Sequence, residues 1–205
     1  ALSKNGMNEL AYGLLLNEDY PSWLFAVKMG ATTIWERWNS ILPDGKISGT
    51  DMNSLNHYAY GSIVEWLYRC VLGIQADSSQ PGYKHFFLAP QPSAQLGKAE
   101  GYYQSVSGRI ESAWEILADG QLAFAFRVPV GTIATITRPD LTLEEAQKTE
   151  WLQSAVALED SAKVTVKAGE YRVTYMPTRN YCPEVTTEMS YRELLEYTPA
   201  RKVIF

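Results

Sequence analysis

Residues 35–38, Trp-Glu-Arg-Trp, set one carboxylate, Glu36, between two large aromatic faces, Trp35 and Trp38. A charge held among apolar surfaces is costly to desolvate, so such an arrangement calls for a chemical reason. Further on, Asp51 to Tyr60 (Asp-Met-Asn-Ser-Leu-Asn-His-Tyr-Ala-Tyr) forms a polar cluster around an imidazole, His57. Aromatic platforms beside carboxylate, amide and imidazole groups suit sugars, which present flat apolar faces and many hydroxyls. Each residue also has a plainer reading. Glu36 alone reads as a solvated glutamate paired with Arg37 or a nearby lysine, His57 as a satisfied core or helix-end histidine, and the two tryptophans as core. Asn53 and Asn56 read as residues that orient the loop. Two isolated histidines, His57 and His85, give no metal-ligand spacing, and His85 reads as structural. No metal and no cofactor is expected.

Positioning these residues falls to short helices. Ala1–Gly6 reads as the last turn of a helix closed by Gly6, so the chain is expected to be the C-terminal part of a longer polypeptide. A helix is expected over 8–16, with Asn8 as its N-cap. Ser22 caps a second, buried helix that Gly30 stops. The β-branched run Thr32-Thr33-Ile34 then predicts an extended segment that ends at Trp35-Glu36, where a catalytic group would be held rigidly. Pro43-Asp44-Gly45 is a turn. The longest helix is predicted over 56–72, with Tyr60, Ile63, Val64, Leu67 and Val71 on one face, Cys70 a small buried hydrophobe, and Gly73 the stop.

Composition changes at Pro81-Gly82, and the period becomes two. Ile110, Ser112, Trp114 and Ile116 alternate with polar or small residues. After the turn at Asp119-Gly120, Leu122, Phe124, Phe126 and Val128 continue the alternation as a hairpin. Strands over 132–137, near 155–158, at 164–166 and, past a turn at Gly169-Glu170, over 171–175 complete an all-β sandwich. Ser190 to Glu193 is a capping box that could start a short helix in the tail. The expected division is 1–80 helical, 81–177 β-sandwich and 178–205 tail, an α+β chain in two parts.

The chain has 205 residues, a net charge of −5 and no basic run, which argues against nucleic acid as a partner. No apolar run is long enough to span a bilayer. No signal peptide is visible, and the two cysteines, Cys70 and Cys182, form no disulfide framework, so a cytoplasmic location is favoured while the true location stays open.

Four ordered words, Ala-Thr-Thr-Ile-Trp-Glu-Arg-Trp (31–38), Met-Asn-Ser-Leu-Asn-His-Tyr-Ala-Tyr-Gly-Ser (52–62), Glu-Trp-Leu-Tyr-Arg (65–69) and Pro-Gly-Tyr-Lys-His (81–85), resemble the bacterial α-L-rhamnosidases. These are inverting glycoside hydrolases with an (α/α)6, or six-hairpin, catalytic barrel and a C-terminal β-sandwich. The resemblance implies the end of that barrel followed by the sandwich. It implies Glu36 as the general base and His57 as a sugar-hydroxyl contact, with Trp35 and Trp38 as candidate substrate-binding residues. The general acid is expected in an N-terminal part of the polypeptide that these residues do not include. The implied substrate is a rhamnose-containing glycoside or polysaccharide. The implied partner is the rest of the same polypeptide, with self-association expected through exposed helical faces. A related six-hairpin hydrolase of other specificity, or a non-catalytic carbohydrate-binding or scaffolding sandwich, are the alternatives.

Overall fold

The structure, a computed structural model, describes residues 1–49, 51–159 and 161–181. The tail's capping box and Cys182 lie outside them. The chain divides into two compact units, Ala1–Trp66 and a second from Leu67 onward.

In the first unit a single 3-10 turn, Ser3–Asn5, ends at Gly6 in the left-handed conformation (φ 75°). Helix α1 follows at Asn8–Leu16. Asn8 is its first residue and not its N-cap; Met7 precedes it without a side-chain cap, and the Asn8 amide oxygen instead accepts from the Ser3 hydroxyl at 2.9 Å. Helix α2, Trp23–Lys28, is capped as expected, the Ser22 hydroxyl accepting the Phe25 N–H at 2.9 Å. The chain leaves it through Gly30 at φ 85°. The expectation that α2 is buried is overturned, since none of its residues is buried and Val27 is 60% exposed. It packs against α1 and, through Trp23, against Trp38 and the Tyr60 carbonyl, which leaves the Val27 face open.

The run Thr32–Ile34 joins no sheet, because its hydrogen bonds go to the loop at residues 55–57. The long helix predicted over 56–72 is also corrected. A 3-10 turn, Ala59–Ser62, leads into one α-helical turn, α3 at Ile63–Trp66, and a π-helical turn opens the second unit at Leu67–Val71. Gly61 and Ser62 are weak helix formers, and the Leu72 N–H reaches back five residues to the Leu67 carbonyl at 2.9 Å. Val64, expected on the apolar face, is 48% exposed.

The second unit is a β-sandwich of two sheets. Strands β1 (Ile74–Ala76), β2 (His85–Leu88), β6 (Ile133–Pro139), β8 (Ser161–Val166) and β7 (Val156–Leu158) form one sheet in that spatial order. Strands β3 (Lys98–Ser105), β4 (Gly108–Ile116), β5 (Leu122–Val128) and β9 (Gly169–Tyr175) form the other. All ladders are antiparallel except β2–β6. Sheet residues begin at Ile74, ahead of the compositional change at Pro81.

The β4–β5 hairpin matches the alternation read from the sequence, with Ile110, Ser112, Trp114, Leu122, Phe124, Phe126 and Val128 buried. The turn expected at Gly169-Glu170 lies earlier in the structure: Gly169 and Glu170 already open β9, paired with Val128 and Arg127 of β5. A four-residue helix, α4 at Leu143–Ala146, was not expected. Cys70 is buried in the π-helical turn, as expected. That turn is stitched to the sandwich, the Trp114 indole donating to the Val71 carbonyl at 2.8 Å and the Ser112 hydroxyl to the Leu72 carbonyl at 2.6 Å. Gly73 follows at φ 71°, where a Cβ would lie 2.0 Å from the Pro90 nitrogen, so no other residue fits there.

Candidate active site

Two of the words that could carry chemistry are laced together by backbone. The Glu36 N–H donates to the Ser54 carbonyl at 2.9 Å, and the His57 N–H donates to the Ile34 carbonyl at 2.8 Å. The Thr33 hydroxyl adds a bond to the Leu55 carbonyl. Segments 33–36 and 54–57 therefore hold each other in register, with no sheet involved.

Within this lacing, the Glu36 carboxylate accepts the Ser54 N–H on Oε2 at 2.7 Å. Glu36 is half-buried, and Oε1 has no hydrogen-bond partner among the described residues. The pairing with Arg37 weighed from the sequence is not formed; the Arg37 guanidinium donates instead to the Asp51 carbonyl at 3.1 Å. His57 is half-buried and stacks on Tyr58, ring centroids 4.8 Å apart. Its Nδ1 accepts the Ala59 N–H at 3.2 Å. A ring nitrogen that accepts carries no proton, so Nε2 is the nitrogen that can donate to a ligand hydroxyl.

Trp35 is 4% exposed and belongs to the core of its unit. Trp38 is half-buried; it stacks on Tyr60 with centroids 3.9 Å apart and meets the edge of Trp23 at 5.1 Å. Both tryptophans line an apolar cleft of about 270 Å³ together with Val27, Ile34 and Tyr60. Glu36 and His57 are absent from its walls, so cleft and carboxylate are separate features. An apolar cleft alone supplies no proton acceptor, whereas the Glu36 carboxylate beside Ser54 is one.

Asn53 orients the loop, as expected of it, by donating to the carbonyls of Ser40 and Ser48. Ser54 is the residue that side-chain reasoning could not single out, because it acts through its backbone N–H. His85 is structural: it meets Asp77 through Nδ1 at 2.7 Å and Thr135 through Nε2 at 2.9 Å, inside the sandwich unit. Among the described residues no group of three or more His, Cys, Asp or Glu is placed to hold a metal ion, and no helix is long and apolar enough to cross a membrane.

The family model for the bacterial α-L-rhamnosidase six-hairpin glycosidase domain matches residues 1–71, and that for the bacterial α-L-rhamnosidase C-terminal domain matches residues 73–152. The chain belongs to the bacterial α-L-rhamnosidase family. Among α-L-rhamnosidases, that of Alteromonas sp. (strain LOR) is 44% identical over 119 residues, which are 58% of this chain and 13% of that protein. That of Streptomyces avermitilis is 34% identical over 174 residues, 84% of this chain and 16% of that protein. A crystal structure of the Streptomyces avermitilis α-L-rhamnosidase complexed with L-rhamnose superposes with a TM-score of 0.73 at 31% identity, covering 85% of this chain and 16% of that one. The Aspergillus terreus α-L-rhamnosidase gives 0.70 at 29%, covering 84% and 18%. The chain thus spans between 13% and 18% of the length of the curated α-L-rhamnosidases it matches. The rhamnosidase C-terminal model stops at residue 152, while β7, β8 and β9 complete both sheets beyond it.

Proposed function

We propose that residues 1–71 form the end of the six-hairpin barrel of an α-L-rhamnosidase and that Glu36 is its general base. The C-terminal β-sandwich begins at β1 rather than at residue 81 and runs through β9, with 178–205 as a tail. The reaction is hydrolysis of terminal α-L-rhamnose from glycosides with inversion. A water on the ring face opposite the leaving group gives its proton to Glu36, while a carboxylic acid elsewhere in the barrel protonates the leaving oxygen. In such enzymes the two carboxyls stand roughly 6.5–9.5 Å apart so that the water fits between them.

The observation that carries this reading is the Glu36 carboxylate fixed through Oε2 on the Ser54 N–H, with Oε1 left to accept the proton. His57, laced to the same segment, contacts a sugar hydroxyl through Nε2, and Trp38 and Trp35 wall the neighbouring apolar surface. The L-rhamnose complex of the Streptomyces relative supports the choice of sugar.

In the complete polypeptide, Glu36→Gln keeps the shape of the side chain but cannot take the proton. We expect hydrolysis of an aryl α-L-rhamnoside to fall by about 10²–10⁴-fold, the usual worth of general-base assistance. A turnover number within about threefold of the parent, against that scale, would remove Glu36 from the mechanism. The 205-residue chain by itself should be inactive and should self-associate through the open α2 face or capture an added N-terminal portion. Turnover by a clean monomer of this chain would overturn the assignment of the acid to another part of the polypeptide.

A further inference from the structure

The lacing around Glu36 closes into a ring of hydrogen bonds whose far side is held by Asn53. The Asn53 amide donates to two carbonyls, Ser40 and Ser48, each at 3.2 Å. Those two residues are the neck of a small hairpin: the Ser48 N–H donates to the Ser40 carbonyl at 3.0 Å, and Ile41 bridges Ile47 around the Pro43-Asp44-Gly45 turn. Ser40 is fully buried, and its hydroxyl accepts the Arg37 N–H at 3.1 Å. Arg37 follows Glu36 directly, and Ser54, whose N–H holds the Glu36 carboxylate, follows Asn53 directly. The ring therefore runs Glu36, Arg37, Ser40, Asn53, Ser54 and back to Glu36, and it fixes both the backbone and the carboxylate of the same residue.

We propose that Asn53 is a positioning residue for Glu36, acting through the Ser54 N–H. The inference rests on the reading of Glu36 as general base. A primary amide is the one short side chain that offers two N–H donors in one plane, which is what two carbonyls flanking one nitrogen require. Aspartate, of the same size, would present acceptors to both carbonyls and push the loop away. Alanine would leave the hairpin neck and the 53–54 segment untied. Either change lets the Ser54 N–H drift from Oε2, and a base displaced by about 1 Å can lose 10²-fold in rate while the sugar still binds.

The test uses the complete α-L-rhamnosidase polypeptide, with Asn53→Ala, Asn53→Asp and Glu36→Gln beside the parent. L-rhamnose titration counts binding-competent sites and gives the Kd, and turnover of 4-nitrophenyl α-L-rhamnoside is expressed per competent site. That normalisation separates positioning from stability, because a structural role lowers the number of sites and not the rate at each. Asn53→Ala should lose about tenfold or more in kcat per site, with KM and the rhamnose Kd within about twofold of the parent, and Asn53→Asp should lose more. Should the Asn53 variants fail to fold, Ser40→Ala cuts the opposite arm of the ring with a small change in volume and should lower kcat per site in the same way. Parent-like kcat per site in the folded variants, with Glu36→Gln inactive, overturns the role of Asn53 and leaves the base in place. An active Glu36→Gln overturns both.

Discussion

In the unit of residues 1–66, Tyr12 and Trp35 are the large side chains withdrawn from solvent, whereas the sandwich buries Phe86, Leu88, Ile110, Trp114, Leu122, Phe124, Phe126, Ile136 and Tyr175. Among the described residues the sandwich satisfies its backbone through seven strand pairings. The first unit relies on short helices and on single bonds across loops, such as Trp23 to the Tyr60 carbonyl and Trp66 to the Ser3 hydroxyl. Burial and ladders make the sandwich a self-sufficient body, because its apolar faces cover each other. The helical unit leaves Leu10, Leu14 and Val27 at least half exposed, and several of its cross-loop hydrogen bonds tie the segments 33–36 and 54–57 that carry Glu36 and His57. Local hydrogen bonding thus sets the geometry of the candidate site without a deep core beneath it.

Tryptophan truncations in each unit sharpen this contrast. Trp114 is 2% exposed and its indole donates to the Val71 carbonyl. Trp114→Ala should cost about 3–5 kcal/mol, the scale of an emptied aromatic site in a close-packed core. Trp66 is half-buried, edge-on to Tyr12 at 5.1 Å. Trp66→Ala should cost about 1–2 kcal/mol, in keeping with partial burial. Denaturant melts of the two variants decide it, and equal losses would mean that the helical unit is as tightly packed as the sandwich.

Inside the sandwich the contrast can be broken at one point. Arg138 is fully buried, with its guanidinium 4.1 Å from the Phe124 ring centre and 4.3 Å from that of Phe126. Nη2 donates to the Leu88 carbonyl at 3.3 Å, while Nε and Nη1 have no partner among the described residues. Burial pushes its pKa down to about 9, which still leaves it charged at neutral pH. Its two aromatic faces offset part of the desolvation cost, by about 0.5–2 kcal/mol. Arg138→Met keeps much of the volume and removes the buried charge, so it should change stability by no more than about 1 kcal/mol or raise it. Arg138→Ala should be less stable than Arg138→Met by about 2 kcal/mol or more, because it leaves a cavity. A large loss in Arg138→Met would show that the cation itself holds the two sheets together.

How much of this was legible follows from the same physics. The 110–128 hairpin could be read because each strand has one buried face, which writes the fold into a period of two. Arg138 occupies an inward position of β6 in phase with Ala134 and Ile136, but a charge at that phase reads as a strand end. Thr142 to Glu145 carries a capping signature, and the Thr142 hydroxyl does accept the Glu145 N–H, yet the helix is too short for periodicity to reveal. The helix predicted over 56–72 failed because the 3-10, α and π turns last only 4, 4 and 5 residues, too few for apolar spacing to tell them apart. Glu36 and His57 were legible as words, while the partner of Glu36 is a backbone N–H that no side-chain type encodes. His57 and His85 look equivalent in composition. The structure separates them by partners: His85 is bonded at both ring nitrogens, and His57 keeps Nε2 free among the described residues.

The smallest expected effect concerns the rim of the sandwich and separates it from the rest by pH. Asp77 accepts from the Ser79 hydroxyl at 2.6 Å and the Ser79 N–H at 2.8 Å on Oδ1, and meets His85 through Oδ2 at 2.7 Å. The Ser79 hydroxyl, then the Ser79 N–H, then the His85 ring hold its carboxyl below the ordinary value of 3.8. A carboxyl whose pKa is lower folded than unfolded stabilises the fold above its unfolded value, and that contribution is lost as pH falls through the folded one. The Asp77 contribution should therefore be constant above about pH 5 and fade below about pH 4. Thermal melts of parent and Asp77→Asn between pH 2 and 7 isolate it, since every other carboxylate titrates alike in both. The difference in Tm should be present at neutrality and close toward zero at the acid end. A difference that persists unchanged to pH 2 would mean that Asp77 holds β1 to β2 and β6 by shape and neutral hydrogen bonds, with no part for its charge.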